Sequence, residues 1–509
     1  MDIDEIFEHI GELGRAQKNL LVLLSLPVAW MSFHVLIPNF IAADPGWNCF
    51  VFTTNCTVGI GAVPDCTRAV SLITDPEEKC RHYGSEDCMP QFDTSEYTSI
   101  VSEWDLVCSR SSYPSVAQSA YFLGLTIGAW LFGSLADMYG RKRILFINVL
   151  GCTAVGLGYG LATRFSVFVV FRFLFGVMSQ AIAVVGYSLL LEVVGAGKRS
   201  LVGVLTQSFF SVGIGVLALV AYLFRNWRVL SVFISVIGLS FLPLWRWIPE
   251  SPRWLLVKGR EEEAKAVLTK IARGNGRNMT IPRLKRPSSQ PSKTTVSVTE
   301  LFRTPVIRHR TLILLVAWFT NCMVYYGLSM SAGSLGGGRY ISVALSGLVE
   351  LPGLYINYRL LNRVGRKWTQ GGFLILAGIC CVLWALGHWA GCGEPLTLTL
   401  ALAGKCAVAN SFCALYLFSA ELFPTEVRSL GMGVVSVASR LGGIMSPIIL
   451  IMGGVSLGLP MVVMGCLGLL AGLLSLHLPE TLHQPLPETL AELEHRAHIT
   501  ISTYPQIYI

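Results

Sequence analysis

Three ionisable residues sit in stretches otherwise apolar enough to cross a lipid bilayer. Glu350 lies in Ala344-Leu-Ser-Gly-Leu-Val-Glu-Leu-Pro352, Lys405 in Gly404-Lys-Cys-Ala-Val-Ala-Asn410, and Arg440 in Ala438-Ser-Arg-Leu-Gly-Gly443. Charge in hydrocarbon is costly, so an ionisable residue at that depth is a functional candidate by default. Two cations and one anion leave a surplus positive charge. A positive, partly desolvated cavity attracts anions and repels cations. A guanidinium can hold a carboxylate through two parallel hydrogen bonds, which makes Arg440 the expected substrate contact. The competing structural reading is a permanent ion pair between Arg440 and Glu350, which leaves Lys405 as the free charge. A zwitterion could use Arg440 and Glu350 together.

No catalytic constellation accompanies these charges. The chain has no Gly-x-x-x-x-Gly-Lys-Ser/Thr loop for nucleotide phosphates, so ATP-driven pumping is not expected. His34 falls in an apolar run, and the nine histidines show no paired ligand spacing. Cys380, Cys381 and Cys406 read as small apolar side chains. No enzyme activity, cofactor or metal is expected.

The elements that must position the charges are membrane helices. Of 509 residues 53% are hydrophobic and only 14% charged, against about 25% charged in soluble domains. Twelve apolar runs are long enough to span: 19–43, 113–137, 144–163, 166–192, 200–223, 228–248, 310–332, 340–362, 369–390, 396–420, 430–453 and 458–478. The net charge of +8 is concentrated in links on one side, such as Arg141-Lys142-Arg143, Lys198-Arg199 and Arg363 to Lys367. That asymmetry sets membrane orientation rather than a nucleic-acid partner, and it puts both termini in the cytosol.

The expected layout is a cytosolic segment 1–18, a first six-helix half 19–248, a cytosolic linker 249–309, a second half 310–478 and a cytosolic tail 479–509. Residues 44–112 form an outer loop with six cysteines, Cys49, Cys56, Cys66, Cys80, Cys88 and Cys108. An even number in an extracellular segment reads as a disulfide framework whose pairing the spacing leaves open. Asn55-Cys-Thr57 is an N-glycosylation acceptor in the same loop. Met1 to Gly14 is acidic and amphipathic, unlike a cleavable signal peptide. Glu261 to Arg273 reads as a short cytosolic helix with acids early and bases late.

An internal repeat supports two halves. After the second run comes Gly133-Ser-Leu-Ala-Asp137-Met-Tyr-Gly140-Arg141-Lys142-Arg143, and after the eighth comes Leu361-Asn-Arg-Val-Gly365-Arg366-Lys367. The first copy resembles the signature loop of the major facilitator superfamily. Further motifs resemble its organic-ion branch, solute carrier family 22: Glu103-Trp-Asp-Leu-Val-Cys108, Pro249-Glu-Ser-Pro-Arg-Trp254, Ala420-Glu-Leu-Phe-Pro-Thr-Glu-Val-Arg428 and Leu478-Pro-Glu-Thr481.

The resemblance implies an all-α fold of twelve helices in two pseudo-symmetric halves, rocking around a midplane cavity in the plasma membrane. It implies gating ion-pair clusters formed from Asp137, Arg141, Glu192, Glu250, Arg253, Glu421, Arg428 and Glu480 at the cytosolic ends, together with Arg172, whose depth in its span the sequence leaves open. It also implies substrate-facing positions at Tyr325, Tyr326, Phe412, Gln207 and Phe210. Anion and carnitine-type members carry arginine where Arg440 stands, and cation members carry aspartate. Gln180 and Leu354 stand where some cation and anion members, respectively, have lysine. The expected partners are the bilayer, small organic ions and a coupling ion or counter-anion. The expected function is secondary-active uniport or exchange of organic anions or zwitterions. The alternatives are organic-cation transport and a transport-inactive receptor or scaffold.

Overall fold

A computed structural model describes residues 3–57, 65–73, 79–81, 88–277, 279, 281–284, 298–335, 338–482, 484, 487 and 489–494. The apolar runs fold as helices because hydrocarbon offers no partner for backbone N–H and C=O groups, which must then bond within the segment. Eleven described helices are long and apolar enough to cross a membrane. In the first half the spans are Arg15–Ile41, Cys108–Tyr139, Arg141–Gly160, Phe165–Glu192, Leu201–Leu223 and Trp227–Arg246. In the second half they are Pro305–Ser331, Arg366–Trp389, Glu394–Leu422, Arg428–Gly454 and Gly458–Ser475.

The eighth span departs from the single run expected over 340–362. It is two shorter helices, Arg339–Leu348 and Glu350–Arg363, meeting at Val349. Pro352 lacks the N–H that would bond the Leu348 carbonyl, so the ladder loosens there. With this broken helix counted as the eighth, the spans among the described residues number twelve.

Packing follows the duplication. In the first half, span two lies on four, three on four and six, and one on five. In the second half, eight lies on ten, nine on ten and twelve, and seven on eleven. The halves meet where span five lies against span eight and span two against span eleven. These two seams are equivalent under the repeat.

One face carries the basic turns at Arg141 and Arg366, and the opposite face carries a three-stranded sheet. Its strands are β1 Trp47–Thr57, β2 Asp65–Ile73 and β3 Cys88–Phe92, in the order β2-β1-β3, all antiparallel. Cys56 stands opposite Cys66 in the ladder and Cys88 opposite Val51. The side chains of Asn55, Cys49, Cys56, Cys66 and Cys88 lie outside what the structure describes. Cys80 is disulfide-bonded to Cys108 at the start of span two.

The Glu103–Cys108 motif ties this sheet-bearing segment to the first half. Glu103 accepts from Trp227 Nε1 at 2.7 Å and pairs with Arg228. The Trp104 ring sits 5.3 Å from Trp227 and 5.5 Å from Phe168.

On the basic face, the helix Ile3–Ile10 buries Ile3, Ile6, Phe7 and Ile10. Asp4 pairs with Arg199 of the span-four to span-five link and with Arg253 of the linker. Asn275, just past the linker helix Glu261–Gly274, donates to the Ile10 carbonyl at 2.9 Å and accepts from the Ala16 N–H at 2.9 Å. The linker helices Pro252–Val257 and Glu261–Gly274 therefore ride on the first half.

Every described side-chain hydrogen bond between the halves lies at mid-depth or on the sheet side. Asn39 donates to the Ser329 carbonyl at 3.0 Å, Ser119 to the Ile444 carbonyl at 3.0 Å, and Ser211 to Glu350 at 2.5 Å. Among the described residues no ion pair joins the halves at the basic face. Among the described residues, the side-chain bonds that join the halves are thus confined to mid-depth and the sheet face.

Replacing Cys108 with Ser opens the described disulfide. We expect a destabilisation of about 2–5 kcal/mol, read as a lowered unfolding midpoint, and loss of the Cys80–Cys108 peptide from a non-reducing digest.

Candidate substrate cavity and charge clusters

At the bend of span eight, Glu350 meets Lys405 of span ten at 3.0 Å, and the side chains are only 1% and 2% exposed. Lys405 also donates to Ser329 and lies 3.1 Å from the centroid of the Tyr325 ring. Ser211, from the opposite half, donates to the second oxygen of Glu350. The carboxylate is thus held by charge from its own half and by a hydroxyl across the seam. The partner of Glu350 here is therefore Lys405 and not Arg440, the partner in the competing structural reading.

Arg440 in span eleven is only half-buried. Its Nη1 donates to the Ser436 carbonyl at 3.1 Å and to the Ser436 hydroxyl, and its buried Nε has no partner. Among the described residues Arg440 forms no ion pair. Tyr326, Tyr416 and Cys322 lie within its electrostatic reach.

Those rings belong to an aromatic wall. Tyr326 sits 4.6 Å from Phe122 of the other half and 5.3 Å from Tyr325. Phe412 sits 5.9 Å from Tyr325, 5.6 Å from Trp318 and 5.5 Å from Tyr416. On the facing side, Gln207 and Phe210 of span five are half-buried, and Phe210 packs against the apolar cores of both halves. Gln180 in span four is half-buried as well.

Arg172 does not join a cytosolic-end cluster. It is 1% exposed in the first half, where it donates to the His34 carbonyl at 2.9 Å and to Gln118 at 2.5 Å. Its guanidinium lies 4.6 Å from the Tyr121 ring. Span four runs from the sheet face to the basic face, and Arg172 comes early in it, which puts it on the sheet side. Its charge is met by a carbonyl, an amide and ring faces, so its role here is to join spans one, two and four.

The other charges form two matching corners on the basic face. In the first half, Arg141 pairs with Asp137 at 2.8 Å and Glu192 at 3.3 Å. Glu250 accepts from the backbone N–H groups of Arg141 and Lys142 at 3.0 and 3.1 Å, capping the N-terminus of span three where the helix dipole favours negative charge. In the second half, Arg366 pairs with Glu421 at 3.2 Å, and Glu480 caps span nine through the N–H groups of Arg366 and Lys367 at 2.8 and 3.2 Å.

Each corner turns on a glycine with positive φ, Gly140 at 103° and Gly365 at 110°. A Cβ at either would press on the capping carboxylate, 2.5 Å from Glu250 and 2.3 Å from Glu480. Arg428 bonds the Phe423 carbonyl and Thr425 within its own half, and Arg253 reaches Asp4. None of these residues bridges the halves in this conformation. In this conformation the clusters expected to gate the cytosolic side make their pairs within each half.

Comparison with known proteins agrees with this architecture. Residues 82–492 match the family described as Sugar (and other) transporter. The chain is 38% identical to Solute carrier family 22 member 15 of Xenopus tropicalis, with 97% of this chain and 91% of that one covered. It is 34% identical to the Organic cation transporter protein of Drosophila melanogaster, with 97% and 95% covered. The chain belongs to solute carrier family 22.

Its fold is that of the major facilitator superfamily. The partially occluded inward open xylose transporter XylE from E. coli superposes with a TM-score of 0.64 over 92% of this chain and 98% of that one, at 17% identity. The protein is a multi-pass membrane transporter, not an enzyme.

Within this solute carrier, the sequence-derived site residues fall into three places. Glu350, Lys405 and Tyr325 come together at the seam. Arg440, Tyr326 and Phe412 line one wall, with Gln207 and Phe210 on span five. The basic-face residues stay inside their own halves. Sequence reasoning assigned no site role to Arg366, Ser211, Ser329 or Tyr416. Arg366 was signalled, because Gly365-Arg366 repeats Gly140-Arg141. Ser211, Ser329 and Tyr416 carried no signal of their own.

Two outcomes follow for this solute carrier. Glu350→Gln and Lys405→Met each strand one buried charge, and each should cost about 3–5 kcal/mol in unfolding measurements. The double replacement should recover most of that loss. Gly365→Ala and Gly140→Ala should each lower stability by about 1–3 kcal/mol, with nearly additive losses because the corners share no partner.

Proposed function

We propose that the protein is an alternating-access carrier, a uniporter or exchanger, that moves small organic anions or zwitterions across the plasma membrane. The observation that carries the preference is the charge balance at mid-depth. Glu350 is neutralised by Lys405, while Arg440 stands half-buried beside the aromatic wall with no carboxylate partner among the described residues. A guanidinium in low dielectric with free donor edges favours a carboxylate. Tyr326, Phe412 and Tyr416 offer faces to the flat part of such a solute.

In this reading the basic face is cytosolic, with both termini on that side, and the sheet face is extracellular. The conformation described is then the one that loads or releases solute at the cytosol. The basic corners keep each half rigid while the halves rock, and the seams of spans five with eight and two with eleven open in the other state. One relative is named for organic cations. Cation binding by this chain would need a free carboxylate, and Lys405 occupies the one at mid-depth.

Paired uptake of labelled urate, carnitine and tetraethylammonium under imposed ion gradients tests the proposal. Uptake of urate or carnitine above that of tetraethylammonium supports it. Arg440→Asp should cut anion uptake about tenfold or more and cation uptake far less. An equal loss of both would remove Arg440 from the solute contact.

A further inference from the structure

Three elements meet at one edge of the basic face: the head of span three, the end of span six and the linker helix Glu261–Gly274. Span six finishes as the tighter 3-10 helix Gly238–Arg246, which leaves Trp245 and, just past it, Trp247 exposed. Lys142, the second residue of span three, sets its ammonium 4.3 Å from the Trp245 ring centroid. Phe146, one turn further on, meets the same ring edge-on at 5.1 Å. The lysine is thereby fixed at the boundary between hydrocarbon and water, where tryptophan rings concentrate.

Positive charge gathers around this point. Lys270, exposed near the end of the linker helix, lies within electrostatic reach of Lys142. Arg143 and Arg246 follow Lys142 and Trp245 in the chain, and both are exposed. None of the four cations has an ion-pair partner among the described residues. The acid within reach of Lys142 is Glu250, whose carboxylate already accepts from the backbone N–H groups of Arg141, Lys142 and Ser251. Like charges held together beside a low-dielectric phase repel, and an anion placed between them relieves that cost.

The surface next to these cations is apolar. Arg143, Ile147 and Leu150 recur at the spacing of one helix face, and Ile147 and Leu150 are exposed. Trp245 and Trp247 add exposed ring surface at the end of span six. A small anion from solution would gain nothing from that stripe. A molecule with an anionic head and hydrocarbon tails matches both parts, and basic residues beside the membrane attract such lipids.

We propose that this edge binds the head group of an anionic phospholipid from the leaflet on the basic face, between Lys142 and Lys270, with its acyl chains along Ile147 and Leu150. The bound lipid ties the linker helix to span three, two elements that otherwise turn like charge toward each other. At the matching corner of the second half, Lys367 lies 5.5 Å from the ring of Trp368, its own chain neighbour, so that contact joins no second helix. The lipid is therefore held by the first half, away from the solute path.

The test uses the full chain in phosphatidylcholine nanodiscs titrated with phosphatidylserine. Phosphatidylserine should raise the unfolding midpoint in a saturable way, and inorganic phosphate should not. Lys142→Gln and Lys270→Gln should each raise the half-saturating phosphatidylserine fraction about fivefold. Lys142→Arg and Lys270→Arg keep the charge and should stay within about twofold of the parent, which separates lost binding from lost folding. Lys367→Gln, outside the site, should leave the fraction unchanged. The parent response surviving in the double glutamine variant, an equal loss in Lys367→Gln or in the arginine variants, or an equal shift with inorganic phosphate would overturn the proposal.

Discussion

A carboxylate at membrane depth must be neutralised, and that requirement organises the middle of this transporter. Glu350 sits where span eight breaks, so its side chain reaches Lys405 of its own half and Ser211 of the other. The same point ends the seam between the halves. Span five packs chiefly on the sheet-side piece of span eight and much less on the piece that starts at Glu350. Asn39 of the first half also bonds the Ser329 carbonyl, and the hydroxyl of Ser329 supports Lys405. The charge pair is thus wired to the contact that has to break if the sheet face is to open.

The two basic corners solve a different problem. A helix that starts at the membrane edge exposes N–H groups with no intrahelical partner. Glu250 and Glu480 fill that need for spans three and nine, and Arg141 and Arg366 lock the neighbouring helices to the same points. Because each corner closes on itself, moving one half against the other breaks none of these bonds. In the proposed cycle, rigidity is kept within the halves and the freedom lies between them.

The spans were legible because length and apolarity suffice to mark them. The break in span eight was not, since proline is common in membrane helices and only packing decides whether it bends one. Glu350, Lys405 and Arg440 stood out as buried charge, yet which cation would meet the carboxylate depended on how spans eight, ten and eleven pack. Sequence spacing does not rank those distances. Arg172 illustrates the same limit: its type suggested a gate, whereas its depth and its amide, carbonyl and ring partners make it an internal brace. Glu421 and Glu480 could be read from their motifs, and Arg366, which stands in the second copy of the repeat where Arg141 stands in the first, could have been given the same role.

The docking of Ile3–Ile10 has a practical consequence. Asp4 and the contacts of Asn275 fasten that helix to the first half, while Leu493 is buried in the apolar core of the second. The two ends of the described chain thus pack on different halves. A pair of spin labels or fluorophores near Ile3 and Leu493 would act as a built-in ruler, its length reporting how far the halves have swung without a label in the solute path.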